Sequence, residues 1–209
     1  MQQHNLMTAD FTCPLPSHFY IDTCNICNLS CPFCLTGTGE GTAKSGTMSL
    51  NDYVRIFDKI SDSAKFIGFY NYGEPFLNSN ILEMVSMAAK RGIISRIDSN
   101  LCSHVFDEAE SENIIKSGLT VLSASIDGAS QETYGKYRIN GNFERAVANL
   151  ERLQRTKQRL NQHSPLLSWS YLLNKHNEHE IETAIILSKE LGVEINFSLM
   201  SCPPDWHSE

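Results

Sequence analysis

The 209-residue chain contains no apolar run near the ~18–20 residues that a membrane-spanning helix needs. It also has no excess of positive charge. Seventeen Lys and Arg stand against twenty-four Asp and Glu, a formal charge of −7, which argues against a broadly basic nucleic-acid surface and against a nucleic-acid substrate. The opening residues Met1-Gln2-Gln3-His4-Asn5 carry no basic stretch followed by an apolar one. A secretory signal is therefore not expected, and the cytoplasm is the expected compartment. Low-complexity segments and obvious linkers are missing too. With 41% hydrophobic and 20% charged residues, wholesale disorder is excluded and one globular domain is expected.

Cysteine is not scarce. There are seven, an odd number, and Cys24, Cys27, Cys31 and Cys34 fall within eleven residues. A chain long enough to bury its own core, with no export signal, has little use for a disulfide framework. Clustered free thiolates bind metal instead.

Short apolar runs rich in β-branched and aromatic residues predict strands at 18–21, 65–70, 93–97, 120–126, 166–173 and 193–199. Helical patterns lie between them. Leu50 to Ile60 follows Ser49 as a cap, and Asn80 with Glu83 and Asp107 with Glu110 have the spacing of capping boxes. Asn142 opens a segment with Phe143, Ala146, Val147, Leu150 and Leu153 on one face. Asn177 and Glu180 open the next. Gly92, Gly118 and Gly192 stand where helices end. His176, Glu178, His179 and Glu180 form a polar helix start and read as a solvated face. Strict alternation predicts an α/β fold with a parallel sheet, either an open doubly wound sheet or an incomplete barrel. Both place a site beyond the C-terminal ends of the strands.

The first strand leads straight into the cysteine loop. Two ligand sets fit the spacing. One is a four-cysteine zinc site; the other uses Cys27, Cys31 and Cys34, with Cys24 a half-buried bystander. A three-residue gap is short for two zinc knuckles and suits a compact iron–sulfur cube. Three ligands on a four-iron cube leave one iron open.

Cys27-x3-Cys31-x2-Cys34, with Phe33 before the last cysteine, resembles the cluster loop of the radical S-adenosylmethionine (SAM) enzymes. The likeness runs along nearly the whole chain. Asn71-Tyr72-Gly73-Glu74-Pro75 resembles the family's Gly-Glu-Pro turn, with Tyr72 where a glycine is usual. Asp98-Ser99-Asn100 resembles its Thr-Asn-Gly turn, with Leu101 where Gly is common. Ser123 to Ala129 and Tyr134-Gly135-Lys136-Tyr137-Arg138 resemble a subgroup that often carries a C-terminal SPASM domain. Cys202 is the last cysteine, so this sequence lacks the cysteines of such an auxiliary-cluster region.

The resemblance implies a partial (β/α)6 TIM-like barrel over residues 17–200, between an N-terminal extension (1–16) and a C-terminal tail (201–209) that marks a possible truncation point. It implies a [4Fe–4S] cluster on Cys27, Cys31 and Cys34. It implies SAM held by Gly73 and Glu74 at the amine, by Arg138 at the carboxylate, by Ser125 at the ribose or carboxylate and by Asn174 at the ribose, with Asn100 a further contact. Phe33 and Met200 would pack near the adenine. The implied chemistry is oxidoreductase-like: reductive cleavage of SAM to a 5′-deoxyadenosyl radical, which removes hydrogen from a peptide, protein side chain or sugar. The electron would come from a reductant such as flavodoxin or ferredoxin. The alternatives are a non-catalytic iron–sulfur or SAM-binding protein, a fragment of a larger SPASM-type enzyme, and a zinc-binding interaction module.

Overall fold

The computed structural model describes residues 13–41 and 44–208. Residues 1–12, most of the expected N-terminal extension, lie outside them. Six strands form one sheet: β1 (His18–Tyr20), β2 (Phe66–Gly68), β3 (Ile94–Ser99), β4 (Val121–Ser125), β5 (Leu166–Leu173) and β6 (Glu194–Leu199). Every neighbouring pair is parallel, and the order is sequential from β1 to β6. A doubly wound sheet reverses its strand order at a switch point. Sequential order excludes that alternative and fits the partial barrel.

Helices fill the crossovers: α1 (Leu35–Thr38), α2 (Leu50–Ile60), α3 (Ile81–Lys90), α4 (Glu108–Lys116), α5 (Gln131–Tyr137), α6 (Phe143–Arg159) and α7 (Ile181–Leu191). The core lies between the sheet's outer face and these helices. Along β3 the side chains alternate. Ser95, Ile97 and Ser99 are buried, while Ile94, Arg96 and Asp98 face the inside of the barrel. Ile67, Phe69, Leu122, Ala124 and Trp169 continue the outer layer and meet Tyr53, Met84, Ile114, Leu150 and Leu153 from the helices. Full burial of one such side chain contributes about 1.5–3 kcal/mol.

Caps fix where the helices start. Ser49 accepts from the Asp52 N–H, Asp107 from Glu110 (2.7 Å) and Asn142 from Arg145 (2.7 Å). Gly92, Gly118 and Gly192 take positive φ after their helices. Two expected caps are not formed. The Asn80 side chain makes no cap bond. Instead Asn78, 1% exposed, accepts from the Asn80 N–H and donates to the Thr23 and Met48 carbonyls, so the burial and the bonding belong to Asn78. Asn177 also leaves its helix uncapped. Its side chain ties down the β5 exit by donating to the Leu172 carbonyl at 2.8 Å. Nor is Glu180 a solvated carboxylate. It accepts from the Ala129 N–H and the Ser130 hydroxyl, both at 2.7 Å, and so anchors the entry to α5. No helix among the described residues is long and apolar enough to cross a membrane.

Candidate active site

The cysteine loop leaves β1 and folds back over the sheet's C-terminal end. Its backbone is locked against the turn after β2, where the Glu74 N–H donates to the Ile26 carbonyl at 2.8 Å. Gly73 sits at this crossing with φ +85°. A Cβ there would stand 2.2 Å from the Cys24 carbonyl oxygen, so only glycine fits. Gly37 serves the other flank of the loop: its Cβ would lie 2.4 Å from the Cys31 carbonyl oxygen.

This packing leaves a cavity of about 250 Å³ lined by Cys27, Cys31 and Cys34 together with Gly73, Glu74, Asp98, Ser99, Asn100, Ser125 and Arg138. Eight residues expected at the site are thus brought together. Three are not. Phe33 lies outside the cavity, against Tyr137 at 6.1 Å and Trp206 at 5.1 Å between ring centres. Asn174 is 1% exposed and spends its side chain on its own turn, accepting from the His176 N–H. Met200 is buried, and its N–H donates to the Leu173 carbonyl. Cys24 also stays out. It is 3% exposed, its thiol donates to the Ile26 carbonyl, and its backbone bridges to Thr47.

Glu74 is the buried acid of the cavity. One carboxylate oxygen accepts from the Ser99 hydroxyl (2.7 Å) and the Phe76 N–H (3.1 Å), and the other from the Asn100 N–H (2.9 Å). Burial pushes its carboxyl above the usual range, and these three bonds pull it back. A carboxylate with three donors and one unused lone-pair direction is set to receive a cation. Arg138 lines the same cavity. Its Nε donates to Asp127 at 2.6 Å, and its Nη1 stands 4.0 Å from the Cys31 sulfur. Burial alone would weaken its proton affinity, but Asp127 and the neighbouring sulfur outweigh it and keep the guanidinium charged. Asp127 in turn accepts from the Leu172 N–H at 2.7 Å, which fixes the arginine to the sheet.

Burial pushes the Cys27 thiol up to about 11 and raises Cys31 as well. Thiolates at these positions need positive charge in the cavity, which bound iron supplies. Among the described residues, no three Cys, His, Asp or Glu side chains converge on a single-ion site. The three cysteines instead line a larger space together with Glu74 and Arg138. Donor set and space together fit an iron–sulfur cluster.

Ser99, Asp127 and Asn28 carry no role that is expected from sequence. Ser99 acts through Glu74, 25 positions away, and Asn28 through Cys102, 74 away, relations that no local pattern carries, while Asp127 holds Arg138 from 11 positions away.

Comparison with known proteins agrees with this geometry. The Radical SAM superfamily matches residues 21–188. The chain is 26% identical over 171 residues to an AdoMet-dependent heme synthase of Methanosarcina barkeri, covering 79% of this chain and 45% of that protein. It is 24% identical over 185 residues to a GTP 3′,8-cyclase of Desulforamulus reducens, covering 87% and 54%. The chain therefore spans about half the length of the curated relatives it matches. The fold is similar to that of Streptococcus suis SuiB bound to S-adenosylmethionine, with a TM-score of 0.71 at 14% identity over 93% of this chain and 44% of SuiB. SuiB has also been crystallised with the precursor peptide SuiA. With the family matched over most of its length and the motif residues gathered at one end of a six-stranded partial barrel, the chain belongs to the radical SAM superfamily, whose members use a [4Fe–4S] cluster and S-adenosylmethionine.

Proposed function

We propose that Cys27, Cys31 and Cys34 ligate a [4Fe–4S] cluster and that the facing residues hold SAM, making this chain the radical-generating core of an enzyme. The observation that carries the proposal is that one cavity is lined both by the three cysteines and by Glu74, Asn100, Ser125 and Arg138. When bound and reduced, the cluster supplies the electron that cleaves the SAM sulfonium. The chain's own residues bind and orient.

Glu74 offers its remaining lone pair to the SAM amine, and the incoming positive charge offsets the cost of burying the carboxylate. Arg138 keeps Nε on Asp127 and has its other N–H groups for the SAM carboxylate, a pairing a guanidinium forms well. Gly73 lets the backbone come close. Ser125, at the end of β4, faces the ribose. The substrate is a peptide, a protein side chain or a sugar, with the peptide favoured by the precursor peptide that SuiB holds on a similar fold. A flavodoxin- or ferredoxin-type protein delivers the electron.

The test is SAM binding to the anaerobically reconstituted chain, with iron counted in parallel. Wild type is expected to hold four irons and bind SAM. Glu74→Gln is expected to keep the iron and bind SAM at least tenfold more weakly, in line with about 1.5–3 kcal/mol for a hydrogen bond to a charged group. Unchanged SAM affinity in a fully loaded Glu74→Gln protein would remove Glu74 from the site.

A further inference from the structure

From Asn100, at the cavity, a chain of side chains runs back through Asn28 and Cys102 to the buried Tyr134. Asn100 turns its amide oxygen to the Cys102 N–H at 2.8 Å. That bond fixes which way the amide points. Its two N–H groups must then face the other way, where they meet the Asn28 amide oxygen at 3.0 Å and the Cys27 sulfur at 3.7 Å. Asn28 is held in turn. Its own amide nitrogen donates to the Cys102 sulfur at 3.6 Å. The Tyr134 hydroxyl donates to the same sulfur at 3.5 Å. Asn100, Cys102 and Tyr134 are 4%, 2% and 0% exposed, and Asn28 is half-buried beside them. A backbone N–H, that of Leu29, also reaches the Cys27 sulfur at 3.4 Å.

We propose that the Tyr134–Cys102–Asn28–Asn100 chain sets the reduction potential of the cluster by aiming an amide N–H at the sulfur of Cys27. The inference rests on the cluster assignment above. Its physical basis is charge. A reduced cluster carries one more negative charge than an oxidised one, and a donor fixed against a ligand sulfur stabilises that charge more in the reduced state. Hydrogen bonds to ligand sulfurs are among the features that set such potentials. Asn100 makes the contact, while Asn28, Cys102 and Tyr134 are positioning residues that stop its amide from rotating away. The network also explains a buried cysteine that is neither a ligand nor part of a disulfide.

The test is an anaerobic redox titration of the reconstituted full chain, following the EPR signal of the reduced cluster and counting iron. Asn100→Ala is expected to keep four irons and to shift the midpoint to a more negative potential. A tenfold change in the reduction equilibrium is 59 mV for one electron, and about that shift is expected. Asn28→Ala should move it less, Tyr134→Phe least, and Asn174→Ala, another buried asparagine, not at all. The direction separates this role from a merely structural one. Loss of packing admits water, which screens the reduced charge and moves the potential upward. A fully loaded Asn100→Ala protein with an unchanged or raised potential overturns the inference. If Asn100→Ala does not load, unchanged potentials in both Asn28→Ala and Tyr134→Phe overturn it instead. A wild-type chain that holds no four-iron cluster overturns the cluster assignment itself, and the inference falls with it.

Discussion

The exits of β1, β2 and β3 differ from those of β5 and β6 in what their polar residues bond to. In the first half, the loops reach across to one another. Glu74 bonds to Ser99 and Asn100, and Asn28 bonds to Asn100 and Cys102. At the β5 exit the bonds point elsewhere: Asn174 and Asn177 close a turn on one another and on Leu172, and Asn177 also donates to the Asp127 carbonyl at the β4 exit. The edge strand β6 ends with Leu199 77% exposed. The first set of bonds surrounds the cavity that Glu74 and Asn100 line, whereas Asn174 and Asn177 use up their side chains away from it. The cavity therefore lies against the first half of the barrel, with Ser125 and Arg138 closing it from the centre.

Substitutions can break or sharpen that contrast. The largest effect is expected from Cys31→Ala, which should lose the cluster and with it more than a hundredfold of SAM cleavage, read by iron content and product formation. Gly73→Ala comes next. At φ +85° and with its Cβ 2.2 Å from the Cys24 carbonyl oxygen, the loop and the turn must separate. A loss of about 2–3 kcal/mol in unfolding free energy is expected, measurable by denaturant titration, together with poor cluster loading. Glu74→Gln places an amide N–H group among three donors, and about 1–3 kcal/mol of stability should be lost beside its effect on SAM. Asn174→Ala probes the other half. It should cost about 1 kcal/mol of stability and leave SAM affinity within twofold of wild type. A large drop in SAM affinity there would show that the second half also shapes the site.

One pH effect follows from the cavity. With the Cys27 thiol pushed up to about 11, the metal-free site is protonated near neutrality, and metal binding must release that proton. Cluster loading is expected to speed up as pH rises from 7 to 9, followed by absorbance during reconstitution.

Much of the fold is legible from local patterns. The six predicted strands coincide with β1 to β6 to within about two residues, because alternating burial and glycine punctuation are local signals. Ser49, Asp107 and Asn142 are legible as caps for the same reason. Asn80 and Asn177 are not, because the N–H groups their side chains would cap, those of Glu83 and Glu180, bond to their backbone carbonyls instead. The site divides along similar lines. The cysteine spacing and the Gly-Glu-Pro turn are contiguous in sequence and readable. The Asn28 relay and the Asp127 carboxylate's bond to the Leu172 N–H join elements of the fold that sequence order keeps apart. Phe33, Asn174 and Met200 sit at strand exits or in the loop as expected, but ring contacts and backbone turns take up the groups that would have faced the cavity.

The most direct measurement is 5′-deoxyadenosine formed by the anaerobically reconstituted chain with dithionite and SAM. The prediction is four irons per chain and steady 5′-deoxyadenosine production that disappears in Cys31→Ala. A chain that takes up one zinc and no iron–sulfur cluster, or a four-iron chain whose 5′-deoxyadenosine yield is the same with and without Cys31, would contradict it.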